Sequence, residues 1–128
     1  MALETEGKQL DEVILRQGVE AVLSDPSKGR YFLAEAEGRV VGQMMITLEW
    51  SDWRNAWFWW IQSVYVHPDH RRQGVFSALF RHVQRAAMGS GQVCGLRLYA
   101  ERENETAKAT YQRLGMRETH YDMFELEF

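Results

Sequence analysis

The stretch Val64-Tyr65-Val66-His67-Pro68-Asp69-His70-Arg71-Arg72-Gln73-Gly74-Val75-Phe76-Ser77 joins a β-rich run to an amphipathic one through a turn that carries two arginines and a glycine. The run before it, Trp57 to Val66, is aromatic and β-branched and stops at His67-Pro68-Asp69, as a strand entering a proline turn does. After Gly74, the positions Val75, Leu79 and Val83, with Phe76, Phe80 and Ala87 beside them, trace one face of a helix that Gly89-Ser90-Gly91 ends. A helix that opens at a glycine after a buried strand presents unpaired backbone N–H groups and the positive end of its dipole. Phosphate oxygens suit that position, and Arg71 and Arg72 add charge of the same sign. A solvated arginine pair on an ordinary strand-to-helix turn has the same local pattern.

Working outward, Leu10, Val13, Ile14, Ala21 and Val22 recur at helical spacing over Leu10 to Leu23, and Ser24-Asp25-Pro26 closes that helix. Tyr31 to Ala36 and Val40 to Trp50 are β-rich runs joined by Glu37-Gly38-Arg39, which predicts an antiparallel hairpin. Downstream, Cys94 to Ala100 reads as a short strand. Asn104 opens a helix in which Ala107, Tyr111 and Leu114 share a face before Gly115 caps it. A last strand is expected over Tyr121 to Phe128. A hairpin followed by strand, helix and strand gives one mixed sheet with a right-handed parallel crossover, an α/β or α+β fold.

At 128 residues the chain has room for one core, so a single domain over 1–128 is expected. Apolar residues make up 45% and charged residues 26%, which excludes disordered and collagen-like classes, and a net charge of -3 argues against broad phosphate neutralisation on nucleic acid. One cysteine, Cys94, supplies neither a disulfide nor a structural zinc site, and it reads as a small buried residue. His67-x-x-His70 lies in a turn without a second ligand pair, so both histidines read as surface residues and no metal site is assigned. The N-terminus, Met1-Ala2-Leu3-Glu4-Thr5-Glu6, lacks an apolar signal core. The longest apolar run, Ala56 to Ile61, is far too short to span a bilayer. A cytoplasmic protein without membrane or nucleic-acid partners is expected.

Arg71-x-x-Gly74-x-Phe76, placed after Val64-Tyr65-Val66-x-Pro68, resembles the acyl-CoA pyrophosphate loop of the GNAT superfamily of N-acyltransferases, whose pattern is Gln/Arg-x-x-Gly-x-Gly/Ala. Asn104-x-x-Ala107-x-x-x-Tyr111-x-x-Leu114-Gly115-Met116 is similar to that family's second cofactor-contacting helix. The resemblance covers Tyr31 to the end of the chain. It implies a mostly antiparallel mixed sheet whose central parallel strands, Trp57 to Val66 and Cys94 to Ala100, splay apart around the pantetheine of acetyl-CoA. It further implies that Val64, Tyr65 and Val66 border the pantetheine, the backbone of Val64 and Val66 pairing with its amides. The loop Arg71, Arg72, Gln73, Gly74, Val75, Phe76 and Ser77 would cradle the pyrophosphate, and Asn104 would reach the pantetheine arm. Tyr111 would protonate the leaving thiolate. Phe76 departs from the small residue of the pattern. The family's first strand has no counterpart before Tyr31, so either a version of the fold shortened at the N-terminus or a second copy completing the sheet edge is expected.

The implied reaction is direct transfer of an acetyl group from acetyl-CoA to a primary amine in a ternary complex. A catalytically silent CoA-binding module is the alternative. A lysine-like amine with a pKa near 10.4 is neutral in only about one molecule per few thousand at pH 7, so a base must take its proton. The strand Trp57-Phe58-Trp59-Trp60-Ile61-Gln62-Ser63-Val64 carries no acid. Glu49 and Asp52 are the nearest carboxylates by sequence, with a solvated surface acid as the plainer reading of each, and a water held by Gln62 or Ser63 is the other option.

All five tryptophans, Trp50, Trp53, Trp57, Trp59 and Trp60, fall in one window. Strict alternation places Trp57, Trp59, Ile61, Ser63 and Tyr65 on one face of their strand and Phe58, Trp60, Gln62, Val64 and Val66 on the other. Trp53 beside Asp52 and Glu49 suits an ammonium through cation–π and charge attraction, which favours a small cationic amine as acceptor over a peptide or protein amine.

Overall fold

A computed structural model of the chain describes residues 11–128. In order it has helix α1 (Glu12–Ser24), strands β1 (Arg30–Ala36), β2 (Arg39–Ser51) and β3 (Ala56–Val66), and a 3-10 turn (Pro68–His70). Helix α2 (Val75–Ser90), strand β4 (Val93–Leu98) and helix α3 (Glu105–Arg113) follow. The strands form one sheet in the order β1-β2-β3-β4. The first two pairings are antiparallel and β3 pairs with β4 in parallel, so the mixed sheet is as expected. Leu10, at which the first helix was expected to begin, lies outside the described residues. Asp11 caps α1 by accepting from the N–H groups of Val13 and Ile14 at 2.9 and 3.1 Å.

The core lies between one face of the sheet and α2. Met44, Ile46, Trp59 and Ile61 meet Leu79, Phe80, Val83 and Ala87, and Leu114 closes the end from α3. Burying each large apolar side chain stabilises the fold by about 1.5–3 kcal/mol. Where α2 begins it presses on β2 so closely that a Cβ at Gly42 would stand 2.9 Å from Val75 Cγ1 and 3.3 Å from Leu79 Cδ1. The absent side chain at Gly42 is therefore what lets the helix start sit on the sheet.

Three expectations are corrected. First, alternation on β3 slips: Met45 pairs with Ser63 and Ile46 with Ile61, leaving Gln62 as a bulge. Trp57, Trp59 and Ile61 face α2, but the extra residue puts Val64 and Val66 on that face and turns Ser63 and Tyr65 to the other. Second, Cys94 is exposed, because β4 is an edge strand among the described residues. Third, no strand forms over Tyr121 to Phe128; the segment has no ladder partner, and every residue from Arg117 to Phe128 is exposed.

Candidate active site

The β3–β4 ladder runs from Trp57↔Val93 to Ile61↔Leu98 and ends there. From Gln62 to Val66 one edge of β3 has no strand beside it among the described residues, so the two parallel strands part at the bulge. A cavity of about 450 Å³ opens beyond this point, lined by Val64, Val66, His70, Arg71, Arg72, Gly74, Val75, Phe76, Ser77 and Thr110. That volume is within the range of small-molecule and cofactor sites.

The polar end of the cavity is built from the turn and the start of α2. Gly74 takes the left-handed conformation, φ 82° and ψ 10°, and no side chain caps the helix there. The first intrahelical bond runs from the Ala78 N–H to the Gly74 carbonyl at 2.9 Å. The N–H groups of Val75, Phe76 and Ser77 thus precede the ladder and face the cavity end of the helix. Arg72 also has positive φ, 63°, so the chain turns twice in three residues to bring this helix start under β3. Arg71 is tied back to the strand: its Nε–H donates to the Val66 carbonyl at 2.8 Å, and its guanidinium lies 5.7 Å from the Tyr65 ring. Gln73 steadies the turn through its side-chain amide, which donates to the Asp69 carbonyl at 3.1 Å.

Phe76 fills the position where the family pattern has a small residue. Its ring lies 6.0 Å from Tyr111 and 6.4 Å from Phe80, so it bridges α2 and α3 and becomes part of the cavity wall. Burial pushes the Tyr111 phenol above its ordinary pKa. Asn104 caps α3, its Oδ1 accepting from the Ala107 N–H at 3.1 Å.

Eight of the residues read from the sequence as cofactor-binding line the cavity: Val64, Val66, Arg71, Arg72, Gly74, Val75, Phe76 and Ser77. Tyr65, Gln73 and Asn104 do not line it, and each supports the frame instead. His70 and Thr110 line it and were missed. His70 was legible as the neighbour of Arg71, and Thr110 as the neighbour of Tyr111 on a short helix.

The residues read from the sequence as acceptor-binding lie elsewhere. Trp53 is 87% exposed at the tip of the β2–β3 turn, and Asp52 accepts from the Trp53 N–H at 3.0 Å. Glu49 accepts from Arg97 Nη1 at 2.8 Å and from Trp60 Nε1 at 3.2 Å. The guanidinium of Arg97 stacks 3.6 Å from the Phe58 ring centroid and 5.9 Å from that of Trp60, whose own ring lies 4.5 Å from Tyr99. This aromatic face opposite α2 already contains a cation from the chain itself. Arg97 carried no signal in the sequence, because Glu49 stands 48 residues away.

The family model of the Acetyltransferase (GNAT) family matches residues 3–116. The chain belongs to the GNAT family and is an acetyltransferase. A possible acetyltransferase from Clostridium difficile 630 is 49% identical and superposes with a TM-score of 0.94, covering 99% of this chain and 84% of that one. The aminoglycoside antibiotic 6'-N-acetyltransferase AAC(6')-IG from Acinetobacter haemolyticus shares the fold, with 19% identity, a TM-score of 0.76 and coverage of 98% and 89%. So does AAC(6')-Iy in complex with the bisubstrate analog CoA-S-monomethyl-acetylneamine, with 21% identity, a TM-score of 0.75 and coverage of 100% and 87%. No curated protein matches the chain by sequence. Among the described residues no helix is long and apolar enough to cross a membrane.

Proposed function

We propose that the chain transfers the acetyl group of acetyl-CoA to a primary amine in a ternary complex, with a small cationic amine as the favoured acceptor. The observation that carries this reading is the cavity between the parted end of β3 and the start of α2, with eight residues of the cofactor motif on its wall. The residues fit the cofactor's chemistry. Arg71, Arg72 and the amides of Val75 to Ser77 suit a pyrophosphate, and the unpaired edge of β3 at Val64 suits pantetheine amides. Because the Val66 carbonyl already accepts from Arg71, Val64 is the better placed of the two. Acetyl-CoA supplies an acetyl group activated as a thioester.

In the step itself the amine nitrogen forms a bond to the acetyl carbon, the carbon–sulfur bond breaks, and the amine gives up a proton. Tyr111, protonated at neutral pH as a phenol ordinarily is, protonates the departing thiolate. Of the two carboxylates, Glu49 is the stronger candidate for attracting the amine or taking its proton, because two donors hold it on the aromatic face of the sheet. Asp52 and Trp53, on an exposed turn, could meet an acceptor only at its outer end. The neighbours that act on aminoglycosides support a small polyamine-like acceptor. A cytoplasmic setting suits a chain whose one cysteine is exposed and unpaired.

Mixing the protein and acetyl-CoA with a panel of small amines, free N-terminal peptides and lysine peptides, and reading thiol release, tests the proposal. Release that depends on a small amine supports it. Stabilisation by CoA with no release from any amine would instead establish a silent binding module.

A further inference from the structure

Helix α3 has 9 residues, too few to be stable alone, and none of them is fully buried. Its C-terminal end is fastened to the core by Leu114, which is buried, and by Arg81, whose Nη1 donates to the Leu114 carbonyl at 3.4 Å. Between Glu105 and Arg113 the polar side-chain contacts among the described residues are local. Thr110 Oγ1 donates to the Thr106 carbonyl at 3.1 Å, Arg113 Nη2 donates to Thr110 Oγ1 at 3.1 Å, and Lys108 pairs at 3.9 Å with Glu118, just beyond the helix.

What reaches from the middle of α3 to the body of the fold is a ring pair. Phe76, in the first turn of α2, lies 6.0 Å from Tyr111 at an interplanar angle of 52°, within the range at which aromatic rings attract. Phe76 also meets Phe80 at 6.4 Å, and Phe80 is buried, so a chain of rings runs from Tyr111 through Phe76 into the core. The Tyr111 hydroxyl makes no hydrogen bond among the described residues, so no polar contact there fixes where its oxygen stands. A proton donor acts only within about 2.6–3.2 Å of the atom it serves, and the placement of the ring decides whether the phenol reaches.

We infer that Phe76 is a positioning residue for acetyl transfer, setting the place of the Tyr111 ring beside the cavity and with it the reach of the proton donor. The inference rests on the role proposed above for Tyr111. Leu114 holds α3 at one end, and the ring pair supplies the second point of attachment that fixes the helix's orientation. Phe76 and Thr110 both line the cavity, so the pair stands where α3 meets it.

A double-mutant cycle in kcat tests this, using Phe76→Ala and Tyr111→Phe singly and together, read by thiol release with an amine that the panel shows to be accepted. Phe76→Ala is expected to lower kcat about tenfold in the unaltered chain and less than about twofold in the Tyr111→Phe background. Phe76→Leu keeps the bulk and is expected to recover most of the loss. Should Phe76→Ala not fold, Phe76→Val takes its place, with the loss again confined to the chain that has Tyr111. Equal losses in both backgrounds would overturn the inference and leave Phe76 as cavity wall alone. An unchanged kcat in Tyr111→Phe would remove the proton donor, and the inference with it. If no amine releases thiol, the acetyl-transfer reading fails, and NMR of isotope-labelled tyrosine decides whether Phe76 places Tyr111. With the Tyr111 signal identified from the Tyr111→Phe spectrum, its phenol is expected to ionise at lower pH in Phe76→Ala than in the unaltered chain, because the ring loses cover. An identical titration in the two would overturn the placement.

Discussion

The Arg97 guanidinium lies 3.6 Å from the centroid of the Phe58 ring, on a face where the tryptophan-rich sequence invites a ligand cation. Glu49 completes the arrangement as the counter-charge. On the proposed function, a small cationic acceptor reaching this face would compete with Arg97 for Glu49. Replacing Arg97→Met keeps the apolar stem and removes the charge. Thermal or urea unfolding is expected to show a loss of about 1 kcal/mol, since a stacked cation contributes about 0.5–2 kcal/mol and a partly exposed ion pair little more. Steady-state kinetics should show a lower KM for cationic amines, because Glu49 is then free to pair with them.

Arg71 both faces the cavity and holds the Val66 carbonyl. Losing a charge-assisted hydrogen bond of about 1.5–3 kcal/mol corresponds to roughly a ten- to hundredfold weaker interaction. Calorimetric titration of Arg71→Ala with CoA is expected to show a Kd raised by at least tenfold, with Arg71→Lys recovering only part of it. Equal affinity in the alanine variant would remove Arg71 from the cofactor site.

Gly74 sits at φ 82°, and a Cβ there would meet nothing within 4 Å. The cost of Gly74→Ala is therefore conformational, about 1 kcal/mol. Scanning calorimetry is expected to show a Tm about 4 °C lower. Because relief of the strain would turn the first amides of α2, CoA binding should fall by more than stability does.

For Tyr111→Phe, kcat is expected to fall about a hundredfold with the Kd for acetyl-CoA within about twofold, the pattern of a lost proton donor. The variant also has a stability signature. Burial raises the folded-state pKa of Tyr111, so below the ordinary phenol range both states keep the proton and stability is unaffected. Above that range the unfolded chain releases its proton first, and stability falls as pH rises. Tyr31 is shifted in the same direction and adds to the effect. Alkaline unfolding should therefore begin at higher pH in Tyr111→Phe than in the unaltered chain.

Local pattern was enough to read the hairpin, β3, α2 and the motif from Arg71 to Ser77, because strand alternation, helical spacing and turn residues are all encoded within a few neighbours. Pairing is not. Nothing local says that Gln62 is skipped by the ladder, and one skipped residue reversed the faces assigned to Ser63 through Val66. Tyr121 to Phe128 has every local property of a strand and still lacks a partner, since a partner is supplied by another part of the fold or another molecule. Likewise Glu49 was legible as a candidate carboxylate, but its partner Arg97 was not. Trp53 and Asp52 were legible as neighbours in a polar connection, but sequence proximity does not reveal how far the turn exposes them.

Gln62 also divides β3 into two lengths that answer to different demands. On one side lie the aromatic rungs paired with β2 and β4, and on the other the stretch that meets the cavity. Were Gln62 lost, Ile61 and Ser63 would become consecutive rungs, with every other side chain on the face it already holds. The chain thus has a seam at which the aromatic half can be redrawn while the half that lines the cavity keeps its register.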